Sequence, residues 1–177
     1  MNIKPIRANV GVQPEGLEME SVQEHERDFV GWTESQADIL RNLPAGTLGL
    51  DTENLAEEIE DLGRSEIRET SSLLRQALVH LIKLAVQPDA EPVQHWLDEA
   101  LTFQGNAVLA CSPGIRKRID VPAIWRLACN GAVRSLEQHG VSAPRLPTQC
   151  PFAIDQLLDP EFDPRSAASI IAAAISA

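Results

Sequence analysis

Residues 50–88 decide the fold of this chain. They read LDTENLAEEIEDLGRSEIRETSSLLRQALVHLIKLAVQP, with apolar residues every three or four positions, which is the spacing of one helix face. Asp51 precedes the pattern in the position of an N-cap. Leu55, Ile59 and Leu62 are expected to form the buried stripe of the first turns. The stretch therefore predicts amphipathic α-helix rather than strand.

Gly63 divides this pattern. When the helix is followed at about 100° per residue, the apolar residues after Gly63 are rotated by roughly 70° from those before it. The second stripe consists of Ile67, Leu74, Leu78, Leu81 and Ala85. A glycine at a change of phase is typical of a helix end or of an interruption. We therefore expect two helices, with a bend or break near Gly63 and Arg64.

Further helices are predicted on both sides of this stretch. A capping-box pattern at Thr33–Gln36 predicts a helix that continues to about Asn42. The later helices are expected after Pro92, after Asp120 as an N-cap with Pro122 in the first turn and Gly140 at the end, and around Ile154, Leu157 and Leu158. No run alternates as a strand would. The chain is expected to fold as an all-α, single-domain helical bundle of about five main helices.

Composition divides the chain into three parts. Residues 1–24 contain prolines, glycines and acidic side chains without periodicity, so we expect a flexible N-terminal arm. Residues 25–164 form the helical bundle domain. Residues 165–177 are an apolar helical tail with about half the length that a membrane span needs. Two surfaces remain open for this tail, namely its own bundle and a second subunit.

The charge of the chain limits its partners. There are 26 acidic and 15 basic side chains, a formal net charge of -11. This charge would repel phosphate backbones, so we expect no nucleic-acid partner. The sequence shows neither a signal-peptide core nor a run of about 18 apolar residues, so we expect no membrane partner and a cytoplasmic protein. The three cysteines lack the spacing of a zinc site and are interpreted as reduced thiols.

Three parts of the sequence resemble one known family. They are Asp28–Thr33, Leu50–Pro88, and Cys150–Phe152 together with Gln156–Asp159. This combination is similar to the bacterial family called domain of unknown function twenty-nine, over roughly residues 25–164. Thr52 and Ala153 depart from its pattern, since a large aromatic residue and a capping Ser or Thr are more usual there. The resemblance implies an all-helical fold with no established activity, and it therefore assigns no catalytic residues.

Glu58 and His80 are the polar residues best placed for a site. Glu58 borders the first apolar stripe and is expected to be half buried, while His80 flanks the second stripe. If the two helices face each other, Glu58 and His80 line a polar opening, helped by Glu57, Asp61 or His95. Such an opening holds a metal ion or a small ligand, or the two side chains only satisfy each other.

Four carboxylates crowd the first helix. Glu57, Glu58, Glu60 and Asp61 lie within five positions, where each repulsive pair costs about a few tenths of a kcal/mol. Arg64 and Arg68 are near enough in sequence to neutralise this run. The functional alternative is that a basic protein docks on the acidic surface.

Known catalytic signatures are missing from the sequence. It contains no Gly-x-Ser-x-Gly elbow, no phosphate-binding glycine loop and no pair of Glu-x-x-His motifs as in di-iron bundles. We therefore predict no cofactor and no metal, and leave open whether the protein is an enzyme. We expect a helical module that acts through a protein partner or as a homo-oligomer. The alternative is a metal- or ligand-binding bundle, enzymatic or not, that uses Glu58 and His80.

Overall fold

Helices form almost all of the regular structure of this protein. The computed structural model describes residues 24–44 and 46–176. Its helices are α1 (Phe29–Arg41), α2 (Thr52–Val86), α3 (Val93–Ala110), α4 (Pro113–Arg118), α5 (Val121–Gln138), α6 (Ile154–Leu157) and α7 (Pro164–Ile175), with single helical turns at 24–27 and Thr47–Gly49. The described residues contain no strand. The predicted all-α bundle is confirmed.

Helix α2 is the central element, and it is continuous for 35 residues. The break predicted near Gly63 and Arg64 is therefore wrong. Helix α1 packs along the N-terminal half of α2, while α3, α5 and α7 pack around its C-terminal half. The rotation of the apolar stripe reflects this change of neighbours, because each half must turn its small or apolar residues toward a different set of helices.

Gly63 serves the contact between α1 and α2. It is buried, and a Cβ added to it would overlap Oγ1 of Thr33. Thr33 is fully buried inside α1, where its hydroxyl donates to the carbonyl oxygen of Val30 at 2.8 Å. The predicted capping box that begins at Thr33 is wrong. The N-cap is Asp28, whose side chain accepts from the backbone N–H of Gly31.

The first half of α2 buries a different face from the one expected. Ala56, Gly63 and Thr70 are buried against neighbouring helices. Leu55 is 40 % exposed and Leu62 is 55 % exposed, so these two residues do not form the predicted buried stripe. Because small residues line the buried side, α1 and α2 approach closely there and leave the leucines outside.

The main core surrounds the second half of α2. Leu78 and Leu81 are fully buried there, as predicted, and Trp125 of α5 packs into the same core. The remaining large core side chains are Leu74, Ile82, Leu84, Trp96, Leu97, Ile124, Phe152, Leu157, Leu158 and Ile171. Helix α5 starts at the predicted Asp120 N-cap, which accepts from the N–H of Ala123.

The C-terminal third of the chain wraps this core. The indole N–H of Trp125 donates to the carbonyl oxygen of Pro147 at 2.9 Å, which holds the proline-containing connector against α5. The buried amide of Gln104 donates to the carbonyl oxygens of Leu157 and Asp159 at 3.1 and 2.9 Å. Helix α7 packs on α2 with Ile171 fully buried, so the tail lies on its own bundle.

The short helix α4, capped by the side chain of Ser112, was not predicted, because its six residues are too few to show a period. The predicted N-terminal arm lies outside the described residues except for residue 24. Among the described helices, none combines the length and the hydropathy that crossing a membrane requires.

Candidate functional site

The structure does not bring the predicted polar cluster together. Glu57, Glu58 and Asp61 are all exposed, so the half-buried position expected for Glu58 is wrong. His80 follows Glu58 by 22 positions on the same continuous helix. At 1.5 Å per residue these two residues lie about 33 Å apart along α2. A single site that contains both Glu58 and His80 is therefore excluded by the geometry of α2.

His80 belongs instead to the contact between α2 and α3. Its ring stacks on Phe103, with centroids 5.9 Å apart, and meets the ring of His95 edge-on at 6.3 Å. Burial lowers the pKa of His80, and the neighbouring charge of Lys83 lowers it further. Its Nδ1 atom is buried and hydrogen-bonds to no described residue. Within residues 24–44 and 46–176, no group of three or more His, Cys, Asp or Glu side chains is placed to hold a metal ion.

The acidic run of α2 is divided between two sides of the helix. Glu60 accepts a hydrogen bond from Arg41 of α1 and another from Arg64, while Arg64 also pairs with Asp61. The hydrogen bond from Arg41, followed by that from Arg64, holds the pKa of Glu60 at about 2, below its ordinary 4.5. The predicted neutralisation is present for Arg64, and Arg41 joins it, whereas Arg68 forms no ion pair with a described residue. Glu60 and Asp61 are thus compensated within the chain, whereas Glu57 forms no ion pair among the described residues.

The other side of α2 combines exposed leucines with uncompensated acids. At about 100° per residue, Glu58 and Glu66 fall on the same side of α2 as Leu55 and Leu62. In the part of the chain that the structure describes, no basic side chain lies within ion-pair distance of Glu58, Glu66 or Glu69. We call the surface formed by Leu48, Leu50, Leu55, Ile59 and Leu62 the open face, and its acidic border consists of Asp51, Glu58, Glu66 and Glu69.

The turn before α2 extends the open face. Leu48 is 92 % exposed, and its φ of 53° is in the left-handed region that a leucine rarely adopts. Gly46 and Gly49, two positions before and one position after Leu48, also have positive φ, so three residues of this turn are in the left-handed region. Leu50 comes next, 44 % exposed, immediately before the Asp51 N-cap. Residues in such sparsely populated backbone conformations are found more often at functional sites than elsewhere.

The open face continues a row of residues that the protein itself covers farther along α2. Leu73, His80 and Leu84 follow Leu55 and Leu62 on the same side of the helix, at about 100° per residue. Helix α3 lies over that part of the row, as the contacts of His80 with Phe103 and His95 show. The first turns of α2 contact α1, where Gly63 lies against Val30 and Thr33, and Glu60 pairs with Arg41. Within residues 24–44 and 46–176, the open face is therefore the exposed end of a row whose other end lies under α3.

The periodic spacing of Leu55, Ile59 and Leu62 led to the prediction that these three residues are buried. The signal that could have shown otherwise is the position of Glu58 and Glu66, which flank Leu55 and Leu62 on the same side of α2. The exposed Leu48 carried no sequence signal, because its role depends on the left-handed turn. Lys83 and His139, which the structure places near His95, were also missed as polar neighbours.

Comparisons with known proteins agree with this architecture. The family model described as Domain of unknown function DUF29 matches residues 25–163. An α-helical protein of unknown function from Rhodospirillum rubrum has a similar structure, with a TM-score of 0.72 and 36 % sequence identity. The match covers 82 % of this chain and 95 % of that chain. No curated protein matches this sequence.

Proposed function

The chain belongs to the family described as Domain of unknown function DUF29, and we propose that it is a protein-binding module whose open face receives a basic amphipathic helix of a partner protein. The observation that carries this proposal is the exposed row of Leu55 and Leu62, which α3 covers only farther along α2. An amphipathic helix that lies in a groove is a recurrent mode of protein recognition, with apolar anchors at positions i, i+3 or i+4, and i+7. The partner helix would occupy the extension of α3.

The apolar part of the open face suits such a helix. Leu55, Ile59 and Leu62 are spaced four and three positions apart, so they present two turns of continuous apolar surface. Leu48 and Leu50, exposed in the turn just before the start of α2, add two further apolar side chains. Burial of apolar side chains contributes about 25 cal/mol per Å² removed from water, so covering these five residues would favour binding.

The charge of the open face selects the partner. Glu58, Glu66 and Glu69 border the leucines without a basic partner inside the described chain. Lysine or arginine residues on the flanks of the incoming helix would pair with them. Complementary charge of this kind speeds association and excludes wrong partners more than it raises affinity. An acidic or neutral helix of the same hydrophobicity should therefore bind more slowly and more weakly.

Self-association through the open face is disfavoured by the same charges. A second copy would bring its own Glu58, Glu66 and Glu69 against these residues, and like charges at an interface oppose binding. The net charge of -11 adds to this repulsion. The tail, which the sequence left open for a second subunit, is packed on its own α2. A homo-oligomer is therefore the outcome that the proposal disfavours.

The proposed location is the cytoplasm, as expected from the sequence. Cys111, Cys129 and Cys150 are free thiols, half buried beside the core. Burial raises the pKa of each thiol, that of Cys129 to about 11, so they are protonated and unreactive near neutral pH. Unpaired cysteines of this kind fit a reducing compartment.

A synthetic helical peptide tests the proposal. The probe is a basic amphipathic peptide with leucines at i, i+3 and i+7 and lysines on both flanks, labelled for fluorescence anisotropy. We expect Leu62→Asp to weaken its binding at least tenfold, because the substitution places a charge in the apolar contact. The matched control is Leu127→Asp on α5, since Leu127 is 53 % exposed and Leu62 is 55 % exposed.

Charge reversal provides the second arm of this experiment. The double variant Glu58→Lys and Glu66→Lys should bind the basic peptide more weakly and an acidic peptide of the same apolar pattern more tightly. Equal losses in Leu62→Asp and Leu127→Asp would overturn the proposal, because binding would then be unspecific. Sedimentation that shows a dimer broken by Leu62→Asp would also overturn it, in favour of a second copy on the open face.

A further inference from the structure

A cleft lies at the opposite end of α2 from the open face. It has a volume of about 300 Å³ and lies where the end of α2, the start of α3 and the end of α5 meet. Its lining consists of Lys83, Gln87, Pro92, His95, Trp96, Ser135, Leu136 and His139. Cavities of this size accommodate small organic ligands.

The lining of this cleft contains basic side chains but no acidic ones. Lys83, His95 and His139 line it, and no carboxylate does. This is unusual in a chain with 26 acidic and 15 basic side chains. Among the described residues, no Asp or Glu forms an ion pair with Lys83. Burial lowers the pKa of Lys83, which means that its ammonium group is partly removed from water without a counter-ion.

The polar groups of the cleft are held in place by the fold. The ammonium nitrogen of Lys83 lies 4.5 Å from the centroid of the Trp96 ring, in a cation–π contact. Nδ1 of His139 lies 2.7 Å from the carbonyl oxygen of Ser135, so this nitrogen donates the hydrogen bond and Nε2 is left free. The ring of His95 is held edge-on to His80. The side chains are therefore oriented before any ligand binds.

We propose that this cleft binds a small organic anion, a carboxylate or phosphate attached to a flat or apolar group. Lys83 supplies the counter-charge, and the ring nitrogens of His95 and His139 supply further polar contacts. Trp96, Pro92 and Leu136 provide an apolar surface for the rest of the ligand. The cleft shares no lining residue with the open face, so the anion site and the protein-binding surface can succeed or fail independently.

Titration followed by nuclear magnetic resonance tests this site in the full-length protein. The probes are benzoate, phenyl phosphate, inorganic phosphate and the neutral benzyl alcohol. The signal is the indole N–H of Trp96, assigned with Trp96→Phe. We expect saturable shifts with benzoate or phenyl phosphate. Inorganic phosphate should bind more weakly because it lacks the apolar group, and benzyl alcohol because it lacks the negative charge. The tighter of the two aromatic anions identifies the headgroup as carboxylate or phosphate.

Substitutions of two lysines, Lys83 and Lys117, test which positive charge binds the aromatic anion. We expect Lys83→Gln to weaken the aromatic anion about tenfold or more, and Lys83→Arg to retain most of the affinity. The matched control is Lys117→Gln, an equal change of charge on the exposed residue of α4. His139→Gln, at an exposed position, should weaken binding as well and carries the test if Lys83→Gln does not fold.

Three results would overturn the anion site. One is the absence of saturable shifts with both aromatic anions at millimolar concentration. Another is equal binding of benzyl alcohol and benzoate, since the charge would then contribute nothing. The third is an equal loss of affinity in Lys83→Gln and Lys117→Gln, which would mean that only the net charge of the protein matters.

Discussion

The two halves of α2 differ in what covers them. From residue 70 to residue 86 the helix is surrounded by α3, α5 and α7, and Leu74, Leu78 and Leu81 are fully buried. From residue 52 to residue 66 it packs against α1 through Ala56 and Gly63, and its leucines face water. The same amphipathic pattern therefore stabilises the fold in one half and remains available for binding in the other. The following substitutions test this contrast.

The largest difference is expected between two leucines of the same helix. Leu78→Ala should lower the free energy of unfolding by about 2–5 kcal/mol, because it leaves a cavity in the core. Leu62→Ala should change it by about 0.5 kcal/mol or less, since its side chain is 55 % exposed. Urea denaturation of both variants measures the two values. Similar losses of stability in both variants would show that neighbouring helices cover the two halves of α2 equally.

The contact between α1 and α2 is tested by comparing two glycines inside helices. Gly63→Ala should destabilise the protein by about 1–3 kcal/mol, because the new methyl group overlaps Oγ1 of Thr33. Gly105→Ala in α3 should stabilise it by about 0.5–1 kcal/mol, since no atom lies within 4 Å of the added Cβ and alanine favours helix. Thermal unfolding compares the two variants.

A double variant tests whether the contact with Thr33 causes the loss of stability in Gly63→Ala. Adding Thr33→Ala to Gly63→Ala removes the overlapping hydroxyl, so it should recover part of the lost stability. No recovery would mean that the loss comes from the helix itself rather than from the contact with α1.

A substitution in the turn before α2 is expected to change the free energy of unfolding less than Gly63→Ala does, and to raise it. Leu48→Gly should raise the free energy of unfolding by about 1 kcal/mol, because glycine adopts a φ of 53° without strain. The same variant should bind the basic peptide more weakly, because Leu48 belongs to the open face. Unfolding and anisotropy measurements on one sample separate the two effects. A variant that is less stable than the parent would contradict the positive φ.

The smallest expected change in stability concerns the ion pair between Glu60 and Arg41 and depends on pH. The folded pKa of Glu60 is about 2, below its ordinary 4.5, mainly because Arg41 donates a hydrogen bond to the carboxylate. Its stabilising contribution is therefore complete above pH 4.5 and is lost as the pH falls from 4.5 toward 2. Glu60→Gln should be less stable than the parent at pH 6, and this difference should shrink by pH 3. A difference that stays constant from pH 6 to pH 3 would contradict this role.

Much of the fold could be predicted because its signals are local. Asp51 and Asp120 each cap the helix that follows them, and Gly140 ends α5 with a positive φ, as the sequence indicated. Two capping signals compete near the start of α1, and a four-residue pattern at Thr33 could not show that Asp28 already caps the helix. Local patterns thus predict that a helix exists more reliably than where it starts.

The remaining features depend on contacts that a sequence pattern does not contain. The apolar face of α2 changes direction at Gly63, and either a break in the helix or a change in the helices packed against it would produce this pattern. Only the packing of α1 on α2 decides between the two explanations. The leucine stripe of α2 shows that an apolar face exists but not whether its own chain covers it. Lys83, His95 and His139 come from three helices, so their shared cleft required the tertiary structure.

Amide hydrogen exchange along α2, measured with and without the basic amphipathic peptide, tests the central claim most directly. In the free protein we expect residues 52–66 to open with a lower free energy than residues 70–86, because fewer apolar contacts hold them. The peptide should slow exchange in residues 52–66 and leave residues 70–86 unchanged. Uniform exchange along α2, or peptide protection confined to its second half, would contradict the account.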